Sequence, residues 1–322
     1  APVTGGDHAY EARLIRRIGT NPTRILGIFR AGAEGGRIVP VDKGADREWR
    51  VPAGATDGAR DGELVEAEQS GPRARLGLPQ ARVVARLGDP TAPRAVSLIA
   101  IHQHAIPDAF PDQVIAEADA MVPLDATCAE SDGREDLRSL DLVTIDPADA
   151  RDRDDAVHAH ADDEPGNPGG HVVWVAIADV AHYVRPQTAL DLEARRRGNS
   201  TYFPDRVVPM LPDILSGDLC SLHEGVDRPC IAVRMRIDAQ GRKIAHRFVR
   251  GVMRSRASLS YGEVQAVIDG NGEGGRCAAL REPVLEPLYA AYRALRLARA
   301  ERQPLDLDLP ERRIVLSDEG RV

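Results

Sequence analysis

The chain has 322 residues, and none of its apolar runs approaches the ~18 residues that a membrane-spanning helix needs. The first residues carry no signal-peptide pattern, so the expectation is a cytoplasmic protein with no membrane partner. Cysteine is sparse. Cys128, Cys220, Cys230 and Cys277 lie far apart without metal-ligand spacing, which argues against a thiolate metal site and points to reduced thiols in a core. An excess of positive charge is also missing: 42 Lys and Arg stand against 50 Asp and Glu, a net charge of −8. That balance disfavours a protein that coats nucleic acid by bulk electrostatics, yet leaves room for local basic grooves or metal-bridged phosphates. Aromatic residues make up only 4% of the chain, so any base-stacking platform must be built from few rings.

What the chain does have is an acidic loop. An apolar run, Leu142-Val143-Thr144-Ile145, reads as a buried strand and leads directly into Asp146, Asp152, Asp154 and Asp155, four carboxylates within ten residues. Like charges this close repel one another unless cations lie between them, and hard oxygen ligands of this kind suit Mg²⁺ or Mn²⁺. Most acidic runs are solvated turns. Here the carboxylates follow a strand at once and the chain returns immediately to an apolar stretch. A calcium loop of the helix-loop-helix type is excluded, because the central Gly and the closing Glu are missing at the required offsets.

The chain divides into an expected helical tail over residues 1–20, a β-barrel over 21–93, a helical connector over 94–135 and a second domain over 136–322. In the barrel, short strands at Arg24–Phe29, Gly36–Val41, Trp49–Pro52, Glu63–Glu68 and Ala81–Leu87, punctuated by Gly, fit a five-stranded oligonucleotide-binding barrel. It offers Phe29 and Trp49 as rings, near Arg30, Arg37, Lys43, Arg47 and Arg50. The second domain reads as mixed α/β, giving an α+β chain overall. His171–Val180 is a nearly continuous apolar strand, expected to be buried on both faces. His158 and His160 share a strand face and are expected on the surface of a hairpin. Thr188–Gly198 reads as a helix with Arg195, Arg196 and Arg197 in its last turn, where the helix dipole favours cations. Tyr202 sits on a proline-dense, stiff loop, where the residues alone fit a stacking surface for a base and a structural ring equally. Ile231–Ile237 and Lys243–Met253 form a basic hairpin, Ser260 caps a helix to Ile268, and Pro283–Arg302 forms a longer helix. The alternating leucines near the end start a further hairpin that Val322 interrupts, so this domain is expected to be incomplete.

The segment Thr144-Ile145-Asp146, five residues, Asp152-Arg153-Asp154-Asp155-Ala156 resembles the signature of the ribonuclease II/ribonuclease R exoribonucleases. The resemblance runs on through Val175–Val184, Arg197–Arg206, Pro209–Pro212 and Leu219–Leu222, and covers roughly residues 21–322. It implies a second cold-shock domain in the barrel and a catalytic RNB domain beyond it. It implies Asp146 and Asp155 as direct Mg²⁺ ligands (Mn²⁺ an alternative), Asp152 supporting them, Asp154 as the residue on which cleavage depends, and Tyr202 as the ring that stacks on a base near the 3′ end. Arg197, in the same block, is carried as a contact to RNA. The activity implied is processive 3′-to-5′ hydrolysis of single-stranded RNA to nucleoside 5′-monophosphates, by a monomer without an obligate protein partner. Two departures stand out. Arg153 takes a place where the family usually has an apolar residue, and pairs either with a neighbouring carboxylate or with a phosphate. The family's downstream arginine motif, S1 domain and first cold-shock domain are not present in these residues. A catalytically incomplete RNA-binding module is therefore the competing reading, and a general metal-dependent phosphatase leaves the barrel and the Tyr202 loop without a role.

Overall fold

The computed structural model describes residues 24–42, 47–71, 77–125, 133–271 and 275–305, with 307, 309 and 317; of Pro93 and Arg94 it describes the backbone. The expected helix at Tyr10–Ile18, Lys43, Cys128 and most of the final hairpin lie outside those residues. The chain forms two compact units, one of residues 1–108, 202–207 and 313–322, the other of residues 109–201 and 208–312. The division thus falls inside the expected connector.

In the first unit, β1 (Arg24–Gly32), β2 (Gly35–Pro40), β3 (Trp49–Pro52), β4 (Leu64–Gln69) and β5 (Ala81–Gly88) pair in the order β3-β2-β1-β4-β5. A parallel bridge from Arg50 to Gln80 joins the two ends of this order, and the Arg50 N–H donates to the Pro79 carbonyl at 2.9 Å. The sheet therefore closes into the expected barrel, a form that leaves few unpaired edges. Alternation puts Ile25, Phe29, Ile38, Val51, Val65, Ala67 and Val83 inside. Phe29 is 1% exposed and is core, leaving the partly buried Trp49 as the barrel's remaining ring. Helix α1 (Pro93–Gln103) starts with Pro in its first turn, where a missing N–H costs nothing, and its Ala95 packs on Leu26 and Leu64.

The second unit opens with α2 (Asp112–Asp119) and is built on a seven-stranded sheet. Its strands are β6 (Glu135–Asp136), β7 (Val143–Asp146), β8 (Asp155–Ala161) and β9 (His171–Ala178), followed in sequence by the short helices α3 (Val180–Tyr183) and α4 (Ala189–Arg197). The short strands β10 (Thr201–Tyr202) and β11 (Val207–Val208) form a two-stranded sheet of their own; β12 (Asp227–Ile237), β13 (Lys243–Arg254) and β14 (Ala257–Ser260) complete the large one. The order is β14-β7-β8-β9-β12-β13-β6, antiparallel except where β14 meets β7 and β6 meets β13. Helices α5 (Tyr261–Ile268), α6 (Gly275–Ala279) and α7 (Glu286–Glu301) follow among the described residues.

Both faces of this sheet are covered. On one, Ala156, Trp174, Ala176, Cys230, Ala232 and Met253 pack with Val114 of α2, Leu190 of α4 and Leu211, Leu215 and Leu222. On the other, Ala159, Val173 and Ile237 lie under Ala291 and Ala294 of α7, while Val143 and Leu259 lie under Val264 of α5. The β12–β13 turn comes so close to α7 that a Cβ at Gly241 would sit 2.0 Å from the Ala294 carbonyl oxygen, and its φ of +76° independently requires Gly. The hairpin, the Ser260 capping box with Glu263 and the final long helix form as expected, although a π-helical turn at Arg281–Leu285 precedes α7.

Two expectations need correction. His158 is not on the surface but 9% exposed, because β8 is an inner strand between β7 and β9. The strand β9 is buried on both faces only in part, since Ile177 near its end is 45% exposed. Cys220, Cys230 and Cys277 are free, buried thiols, and burial pushes the first two up to about 12.

Just past β9, Asp179 accepts from Arg134 at 2.7 Å and from Arg250 at 3.1 Å, and the Asp179 and Arg134 side chains are each 1% exposed. Burial works against the Asp179 charge, but the two guanidinium groups outweigh it and hold the carboxyl below its ordinary value.

Candidate active site

The site is a chain reversal. Strand β7 ends at Asp146, strand β8 begins at Asp155, and the two run antiparallel with Val143 opposite Val157. The residues between them are held by a segment far away in sequence. Ser221 Oγ accepts from the Arg153 N–H at 3.1 Å and donates to the Arg151 carbonyl at 3.1 Å. The Leu222 N–H donates to the Arg153 carbonyl at 2.8 Å, and the Ala178 N–H to the Asp154 carbonyl at 2.9 Å. Ser221 is itself pinned: its carbonyl accepts from the buried Arg228, which also reaches Asp218 at 2.7 Å. The acidic loop is therefore a fixed structure rather than a solvated turn. The sequence contained Leu219–Leu222 as a recognisable block, but a clamping role for a serine leaves no local pattern to read.

The electrostatics follow from this placement. Burial pushes the Asp146 carboxyl up; Arg153 opposes that, and Asp155 and Asp152 add to it. Asp154 has a surface open to solvent, yet the protein packed behind it raises its carboxyl, with Asp152, Asp155 and Asp146 contributing further. Asp152 and Asp155 thus act on both Asp146 and Asp154. The four do not form a closed cage: among the described residues no three acidic, His or Cys side chains converge tightly enough to grip a metal ion. Arg153 settles its own alternative by pairing with a carboxylate, Nη1 to Asp146 Oδ2 at 2.9 Å. The donor chemistry fits a hard divalent cation, which takes the rest of its ligands from water and phosphate.

The two residues expected to touch RNA fare differently. Tyr202 lies on β10 and is 65% exposed; a tight turn follows, closed by the Phe203 N–H donating to the Arg206 carbonyl at 2.8 Å. Within its unit, Asp205 of this turn accepts from Ser97 of α1, a tie that keeps the ring's support rigid. Tyr202 belongs to the first compact unit and the aspartates to the second. Arg197 points inward. It is the last residue of α4, whose ends match the expectation, with Thr188 accepting from the Asp191 N–H and Gly198 at φ +79°. Its side chain is 2% exposed, ion-paired to Glu193 at 2.9 Å, and donates to the carbonyls of Pro209 at 2.9 Å and Ala109 at 2.7 Å. Its guanidinium also lies 3.6 Å from the centre of the Phe110 ring. The expected RNA contact is accordingly replaced by a structural one: a basic helix end reads the same whether its last Arg faces solvent or folds back under a proline-rich loop. An Arg197→Met protein should lose about 1–3 kcal/mol of stability, seen in urea unfolding, with its affinity for single-stranded RNA unchanged.

A closed barrel of the oligonucleotide-binding type, followed in sequence by a mixed α/β sheet that presents a clamped carboxylate loop, defines a class of modular α+β fold. The family models make this specific: one described as RNB domain matches residues 134–322, and one described as Cold shock domain matches residues 38–111. The chain belongs to the RNB family. It is 38% identical over 315 residues to ribonuclease R of Vibrio cholerae, an alignment covering 97% of this chain and 37% of that protein. Among solved structures, Mycoplasma genitalium RNase R in complex with double-stranded RNA matches with a TM-score of 0.76 and 26% identity, over 98% of this chain and 54% of that one. Yeast Ssd1, described as a pseudonuclease, matches with a TM-score of 0.57 and 16% identity, over 92% of this chain and 36% of that one, which shows the fold alone. The chain therefore spans little more than a third of the length of the V. cholerae relative.

Proposed function

We propose that this chain carries the hydrolytic site of a divalent-metal-dependent, processive 3′-to-5′ exoribonuclease that releases nucleoside 5′-monophosphates from single-stranded RNA. The observation that carries the reading is the acidic loop itself. Of its four carboxylates Asp146 is paired with one positive charge, Arg153, and the carboxyls of Asp146 and Asp154, raised by burial and by neighbouring carboxylates, mark a place that favours added positive charge. Asp146, Asp152 and Asp155 would hold Mg²⁺ or Mn²⁺. When bound, such an ion polarises the phosphate and activates water for in-line attack.

The rest belongs to the chain's own side chains. Asp154, with its raised carboxyl, is a better proton acceptor than an ordinary aspartate and is the residue to which we assign the catalytic role. The exposed Tyr202 ring offers a stacking face to a base near the 3′ end, worth about 1–3 kcal/mol of binding, and the barrel guides single-stranded RNA. Within its own unit the clamped loop presents the same carboxylates to each scissile phosphate in turn.

The test is single-stranded RNA labelled at its 5′ end, incubated with this chain and Mg²⁺ or Mn²⁺. Progressive shortening to a short labelled core, absent with chelator, is the expected result. Binding without shortening would instead favour an RNA-binding module that keeps the fold without turnover.

A further inference from the structure

Arg153 is anchored on both sides of its Cα: its N–H donates to Ser221 Oγ at 3.1 Å and its carbonyl accepts from Leu222 at 2.8 Å. From that fixed point its guanidinium reaches back to Asp146 at 2.9 Å, and the two side chains are only 17% and 12% exposed. Asp146 is 8% exposed at the end of a sheet strand, so a bare carboxylate there would be poorly hydrated. The guanidinium supplies the missing charge. It cannot do so by halves, because Arg does not release its proton in proteins; the only way for it to leave Asp146 is to swing away.

We propose that Arg153 is a latch on Asp146, a resident cation that a divalent ion must displace, and that it thereby sets how tightly the acidic loop takes up metal. The inference rests on the nuclease reading above. It also explains why the four aspartates do not converge on a common point among the described residues: one of them is already engaged. Only the unlatched fraction of molecules presents Asp146, and apparent affinity falls by that fraction. An apolar residue at 153, as the resemblance leads one to expect, removes the competition. The latch also ties the two ends of the loop together without metal.

The experiment is calorimetric titration of the full chain with Mn²⁺ alone, without RNA, so that binding is read independently of turnover. Arg153→Met should bind Mn²⁺ about tenfold tighter than the parent, whereas Arg153→Lys, which keeps a cation, should not. Adding Asp146→Asn to Arg153→Met should remove the gain, and Asp146→Asn alone should weaken binding less than it does in the Arg153→Met background, a coupling that a merely structural arginine would not produce. Melting curves taken without metal establish that each variant is folded, and Arg153→Gln serves as the second neutral variant if Arg153→Met is not. Equal or weaker binding by folded neutral variants, or a gain that survives Asp146→Asn, overturns the latch while leaving the metal reading intact. No Mn²⁺ uptake by any protein in the set overturns the metal reading and the latch together.

Discussion

Asp154→Asn should abolish shortening of 5′-labelled RNA, by about a hundredfold or more, and the same protein should melt at a higher temperature than its parent. The two effects have one cause. Burial and three neighbouring carboxylates raise the Asp154 carboxyl above its ordinary value of 3.8. A carboxyl whose folded pKa is raised contributes stability below the unfolded value that is lost as pH rises through the folded one. At neutral pH the loop therefore carries the full penalty of the Asp154 charge. Asn keeps the shape and removes the charge, so the gain in melting temperature should be present at pH 7 and shrink toward zero below about pH 4. Binding of single-stranded RNA should be retained. A variant that still hydrolyses RNA at the parental rate would remove Asp154 from the mechanism; one that is inactive but less stable would show that its carboxylate is structural. Divalent ions should stabilise the parent more than the variant, because losing the Asp154 charge beside the other three carboxylates lowers the affinity of the loop for cations, and a ligand that binds only the folded form stabilises it by the logarithm of its affinity.

The opposite sign is expected at Asp179. Asp179→Asn leaves the Arg134 guanidinium, whose side chain is 1% exposed, without its counter-charge, and removing one partner of a buried pair costs about 3–5 kcal/mol. Urea unfolding at pH 7 measures this directly. The Asp179 carboxyl is held below its ordinary 3.8 by Arg134 and Arg250 against the effect of burial. Its contribution is therefore complete above that unfolded value and is lost as pH falls through the folded one. The parent should lose stability on acidification below about pH 4, and Asp179→Asn should lose less, having none of this contribution to lose. A deficit under about 1 kcal/mol would mean that water reaches Arg134 in place of the carboxylate. Arg134 and Asp179 lie on opposite flanks of β9 in sequence and meet only in the folded sheet, so this pair was invisible to any reading of local pattern.

The same contrast runs through the whole chain. The barrel strands were legible because Gly and Pro punctuate short alternating runs and each strand's pattern follows from its own residues. The helix over Ala189–Arg197 was legible because both caps are local. The acidic loop was legible because its carboxylates lie within ten residues. What was not legible depends on partners distant in sequence. His158 reads as a surface histidine until β7 and β9 close around it. Arg197 reads as a free cation until Pro209 and Ala109 supply carbonyls. Arg153 was seen to be out of place, but only the geometry chose Asp146 over a phosphate. For the site, sequence named the charged groups and left open what holds them.

The clamp on the acidic loop also has a timetable. The Ser221 hydroxyl that ties the Arg151 carbonyl stands 70 residues further along the chain. At the pace of protein synthesis the ribosome needs about 4 to 14 s to add that many. Through that interval the four aspartates have been made and the hydroxyl that fixes their loop has not. A nascent chain paused before residue 221 would carry all of the acidic side chains without the hydroxyl that ties their loop, so the final alignment of the aspartates waits on a segment made well after them.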